Sequence, residues 1–128
     1  MLYSLSRTWL GGIVFGWVLA HFSFALPVDR LLETETLIAF EHPRPSHPIH
    51  ILIVPKGRYR NLFELPSDAT DFPQELFEAV RKLVEQHGLE EVGYQLIMNG
   101  GSNQEVDHLH FHLVGGDADQ QEADDLAR

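Results

Sequence analysis

The chain contains no cysteine, so disulfide bonds, thiol nucleophiles and thiolate metal ligands are all excluded. Basic residues are scarce as well: 9 Lys and Arg stand against 19 Asp and Glu, for a formal net charge of −10. A chain so acidic lacks the positive surface through which a nucleic-acid backbone is held. Small phosphorylated ligands are still compatible with it, because imidazoles and backbone amides bind phosphate locally. With 128 residues, 44% hydrophobic and 22% charged, the composition describes one globular domain with a modest core.

Histidine is what the sequence has instead. Three of its 8 histidines fall in His108-Leu109-His110-Phe111-His112-Leu113-Val114, followed by Gly115-Gly116. In an extended strand His108, His110 and His112 share one face, and Leu109, Phe111 and Leu113 anchor the other in the core. Three readings compete for this row. It is a His-rich surface strand, or a zinc or copper site, or a center for phosphorus chemistry in which a neutral imidazole attacks and its neighbours donate protons. No CxxC or HExxH spacing accompanies it, which favours the third reading with neither metal nor cofactor.

From Trp9 to Leu26 no charged side chain interrupts an apolar run of about eighteen residues, near the lower limit for a membrane-spanning helix. The segment 1–25 is read as a membrane anchor or as a signal peptide, with Arg7 ahead and Ser23-Phe24-Ala25 as the cleavage site. Either gives a membrane-associated or exported protein. A soluble hydrophobic helix packed on the domain is the alternative, and would leave the protein cytoplasmic.

The domain proper is expected over 26–116. Thr34–Phe40 and His50–Val54 read as strands joined by a Pro-rich loop, and Asn61–Leu65 as a short helical turn. Asp71 with Gln74 suggests a capping box that opens the principal helix, whose stripe is Leu76, Phe77, Val80, Leu83 and Val84. His87 sits at its C-terminal dipole, and Gly88 stops it. Val92–Met98 reads as a third strand. Asn99-Gly100-Gly101-Ser102-Asn103 is then either a plain hairpin connection or a nest of backbone N–H groups for a phosphate. The tail 117–128 is acidic and should be solvated.

The HxHxHxx row within Gln104–Gly116, together with Pro48-Ile49-His50-Ile51-Leu52-Ile53-Val54-Pro55-Lys56, closely resembles the Hint-like branch of the histidine triad (HIT) family. The resemblance covers about Leu26 to Gly116. It implies an α+β domain with a HIT-like antiparallel sheet and one principal helix, paired as a homodimer whose sheets are continuous. It also implies phosphate contacts from Asn99, Asn103 and Glu105, and a nucleoside pocket at Leu26, Phe40 and Leu52. His42 occupies the place where Hint-like proteins usually carry an Asp that binds ribose hydroxyls.

From the residues, His110 would attack phosphorus, His112 would protonate the leaving group, and His108 and His50 would orient the pair. The function expected is that of a nucleotide phosphoramidase or hydrolase working through a nucleotidyl-histidine intermediate on a small nucleotide substrate. The alternatives are a diadenosine polyphosphate hydrolase and a non-catalytic nucleotide-binding or scaffold module.

Overall fold

The apolar segments flanking the Pro-rich loop pair as expected. In the computed structural model, which describes residues 30–116, β2 (Leu37–Glu41) and β3 (Ile49–Pro55) run antiparallel from Leu37↔Pro55 to Glu41↔Ile51. β3 pairs in turn with β5 (Phe111–Gly115), and β5 with β4 (Tyr94–Ile97). A further strand, β1 (Arg30–Glu33), adds to β2 and gives the order β1-β2-β3-β5-β4. The result is an α+β fold with one antiparallel five-stranded sheet and one main helix.

Directly opposed residues in an antiparallel ladder point to the same face, so this register sorts the side chains. Leu37, Ala39, Ile51, Ile53 and Leu113 face one way and form the main core. The helix α1 (Asp71–Gln86) covers that face with Phe72, Leu76, Ala79, Val80, Leu83 and Val84, whose three- and four-residue spacing makes a single apolar stripe. Ile38, Phe40, Leu52 and Val54 form a separate cluster on the opposite face. His112, opposed to Leu52, and His50, opposed to Val114, share that second face. The site is therefore built on the side of the sheet that α1 leaves uncovered.

Several local expectations are corrected. Thr34–Thr36 is a turn rather than strand, because the Thr34 hydroxyl accepts the backbone N–H groups of Thr36 and Leu37. The N-cap of α1 is Thr70 without a side-chain cap, so the Asp71–Gln74 box does not form. Phe77 lies one position off the stripe and is 60% exposed. Val92 belongs to a short helix, α2 (Leu89–Val92), which shortens the following strand at its start. The end of α1 is as expected: His87 Nδ1–H donates to the Leu83 carbonyl at 2.9 Å, and Gly88 takes φ 64°.

Gly115 shows how tightly α2 is set against β5. A Cβ there would stand 2.8 Å from the Gly93 carbonyl oxygen and 3.0 Å from Leu89 Cδ2. Gly115→Ala is expected to destabilise the domain by ~1–3 kcal/mol, since backbone must move to admit the methyl group. Denaturant unfolding would read this as a lower midpoint with an unchanged slope.

Among the described residues no helix is long and apolar enough to cross a membrane. The apolar run 9–26, Leu26 in the expected nucleoside pocket and the acidic tail 117–128 all lie outside the described residues.

Candidate active site

The Pro-rich loop does more than connect β2 to β3. It folds back so that the Ser46 backbone N–H donates to His50 Nδ1 at 3.0 Å, and the Arg44 backbone N–H donates to His42 Nδ1 at 2.9 Å. A nitrogen that accepts an N–H carries no hydrogen of its own, so neutral His42 and His50 both hold theirs on Nε2. His50 Nε2–H then donates to His112 Nδ1 at 2.9 Å across the β3–β5 ladder. This in turn puts the hydrogen of His112 on its Nε2. One backbone amide thus sets two tautomers in series.

His110 is set the other way. The expected strand over 108–114 begins only at Phe111, where the β3–β5 ladder has its last pair, Ile53↔Phe111; two residues farther along β3, Pro55 has no N–H to carry the pairing on. Leu109 N–H instead bonds the Tyr59 carbonyl at 2.7 Å, and His108 Nε2–H meets the Pro55 carbonyl at 3.2 Å. In the resulting bend His110 Nδ1–H donates to the His108 carbonyl at 2.7 Å. Its Nε2 therefore carries the lone pair. The His110 and His112 rings stand 5.0 Å apart between centroids, at 66°.

Burial favours the neutral form of His42, His50, His110 and His112. It is the main cause that pushes His112 down to about 3, with the neighbouring His110, His50 and His42 adding repulsion in the charged form. His50 is pushed down to about 4 by burial and then by His42 and His47. His110 and His42 are lowered as well, again chiefly by burial.

A cleft of about 250 Å³ opens onto these rings. Of the residues expected in the site, His42, Leu52, Asn99, Asn103, Glu105, His110 and His112 line it. His50 and His108 stand behind it, each bonded to the groups just described. Phe40 is not on the cleft wall; it is buried in the cluster with Leu52.

Sequence reasoning missed Val54 and Val106, which line the cleft beside Leu52. Val54 was within reach, being two residues beyond Leu52 on the same strand face. It also missed Gln104, buried with its Nε2 donating to the Arg60 and Val106 carbonyls at 2.6 and 2.9 Å, which pins the loop ahead of His108. Ser46 was missed as well; besides its backbone N–H, its hydroxyl lies 3.3 Å from His50 Nδ1 and 2.7 Å from His47 Nδ1.

His42, His50 and His112 offer ring nitrogens within 4.8 Å of one another, a spacing that zinc or copper accepts. Their tautomers do not suit a metal. The lone pairs at Nδ1 of His42 and His50 already accept backbone N–H groups, and their Nε2 atoms bear hydrogens. The cluster is a set of donors around one lone pair, that of His110.

The HIT domain family matches residues 24–119. This chain belongs to the histidine triad family. Its triad, His108-His110-His112, thus supplies one backbone carbonyl, one lone pair and one N–H donor. Among histidine triad relatives, a 13.2 kDa HIT-like protein of Azospirillum brasilense is 39% identical over 94 residues, 71% of this chain and 77% of that relative. The purine nucleoside phosphoramidase of Escherichia coli is 33% identical over 93 residues, 71% of this chain and 78% of the enzyme. The crystal structure of a HIT family hydrolase from Legionella pneumophila superposes with a TM-score of 0.69 at 33% identity, over 75% of this chain and 88% of that one.

Proposed function

We propose that this histidine triad protein is a hydrolase of nucleotidyl phosphorus bonds, with a phosphoramidate as substrate and a nucleotidyl-His110 intermediate. The observation that carries this reading is the opposed tautomers of His110 and His112 at one cleft. His110 Nε2 attacks phosphorus as the phosphorus–nitrogen bond breaks, the leaving nitrogen departs as a neutral amine with the proton that the zwitterionic phosphoramidate already carries there, and His112 Nε2–H donates a hydrogen bond to a phosphorus oxygen. The modified His110 ring becomes cationic, and its Nδ1–H is held by the His108 carbonyl. Water then adds its oxygen to phosphorus as the bond to His110 Nε2 breaks, and its proton leaves with the phosphate product. Nucleotide leaves, and His110 is restored. Backbone N–H groups of the loop 99–103 and the side chains of Asn99 and Asn103 hold the phosphorus oxygens.

Charge separates this reading from diadenosine polyphosphate hydrolysis. Among the described residues, those lining the cleft include Glu105 and neither Lys nor Arg. Neutral donors suit a single phosphorus center with one negative charge, whereas a bridge of several phosphates calls for cations. The activity named for the Escherichia coli relative points the same way. The reading also includes a homodimer joined along β4, an outer strand of the sheet, which light scattering would register as a doubled mass.

The test is a single-turnover reaction of the full chain with an adenosine phosphoramidate, quenched in acid-free denaturant and weighed intact. A nucleotidyl adduct that forms and decays within the turnover time is the expected result, with diadenosine tetraphosphate cleaved at least about tenfold more slowly. Folded protein with neither adduct nor turnover would leave the binding-module reading in its place.

A further inference from the structure

The mechanism uses His110 and His112 and leaves His42 without a task. Its ring forms a wall of the cleft, stacked on His50 at 4.3 Å between centroids and 5.8 Å from His112. The Arg44 backbone N–H fills the lone pair of Nδ1. Its Nε2–H has no hydrogen-bond partner among the described residues. His42 is thus a neutral donor without an acceptor, at a fixed place on a substrate cleft.

The other walls say what would meet it. On the nucleotide reading phosphorus lies between His110 and His112, near Asn99, Asn103 and Glu105, and the apolar patch of Leu52, Val54 and Val106 suits a planar base. The sugar joins those two groups and lies against the polar wall that is left, which is His42. Glu105, the carboxylate on the cleft, stands near enough to His110 to favour its charged form, at the phosphorus end. A vicinal diol gains most from an acceptor that takes both of its hydrogens, and His42 offers none.

We propose that His42 is a specificity-determining residue whose Nε2–H donates to one sugar oxygen, so that the cleft accepts ribonucleotides and 2′-deoxyribonucleotides alike. This rests on the nucleotide reading given above. A single donated hydrogen bond needs one oxygen, and the 3′ oxygen is present in both sugars. Strong selection for ribose calls instead for an acceptor that takes both hydrogens of the diol.

Calorimetric titration of the full chain with AMP and with 2′-deoxy-AMP tests the proposal without relying on turnover. The two dissociation constants are expected to agree within about threefold. His42→Asp, which puts an acceptor in the same place, is expected to favour AMP by about tenfold or more. His42→Asn serves the same purpose if the Asp variant does not fold. A wild-type preference for AMP of about tenfold or more overturns the proposal while leaving the nucleotide reading intact. Wild-type indifference with no shift in either folded variant also overturns it, since the sugar then lies elsewhere. Binding of neither nucleotide overturns both.

Discussion

His110→Asn is expected to lower turnover of a nucleotidyl phosphoramidate by at least about a thousandfold, with nucleotide affinity changed by no more than a few fold. His110 Nε2 bears the lone pair on which the proposed chemistry depends, because the other two imidazoles lining the cleft, His42 and His112, hold hydrogens on Nε2. Asparagine keeps a side-chain N–H that reaches the His108 carbonyl, so the bend ahead of β5 has its hydrogen bond and the cleft its shape. What it removes is the nucleophile. His50→Gln should behave differently, slowing the reaction by about ten- to a hundredfold, because it loosens the tautomer of His112 without deleting a reacting atom. Rapid-quench rates for the three proteins, alongside their affinities for AMP, separate these outcomes. Turnover by His110→Asn near that of the wild type would remove the covalent mechanism.

The parts of this site that were legible in the sequence are those that depend on strand periodicity. Alternation placed His112 on the face opposite Leu113, and the run before Pro55 marked β3 with His50 in it. The principal helix was legible from its stripe, though Phe77 shows that an apolar residue beside a stripe is not thereby part of it. β1 was not legible. Arg30-Leu31-Leu32-Glu33 has no β-branched residue, and it is a strand because β2 offers it an edge. Nor was the bend at His108–His110 legible. It lies just past the last β3–β5 pair, Ile53↔Phe111, opposite a proline more than fifty residues earlier in the chain that has no N–H to extend the pairing. The same holds for the tautomers. They follow mainly from backbone amides at Arg44 and Ser46, which the residue types do not reveal. What the sequence gives least of is the polarity of each imidazole, the property on which the chemistry turns.

That polarity also governs the response to acid. An ordinary imidazole is roughly nine-tenths protonated at about pH 5.5, and a site made of such groups would lose its nucleophile there. Here burial holds His110 and His42 below the usual value, His50 at about 4 and His112 at about 3. The acid limb of kcat/KM is therefore expected below pH 6.5, displaced to lower pH than an ordinary imidazole would give. The same shifts act on stability with a definite sign. Below pH 6.5 the unfolded chain binds protons that the folded cluster refuses, so the folded state loses ground as pH falls. This contribution is complete above pH 6.5, and it is spent progressively down to the folded values of about 4 and 3. Unfolding midpoints should thus be flat above neutrality and decline from pH 6.5 toward 4, with a shallower decline in His50→Gln, which lacks one of the titrating rings. A nucleophile that resists protonation while the fold around it weakens is the consequence. The burial that preserves the lone pair of His110 in acid is the same burial that makes the native state yield to acid.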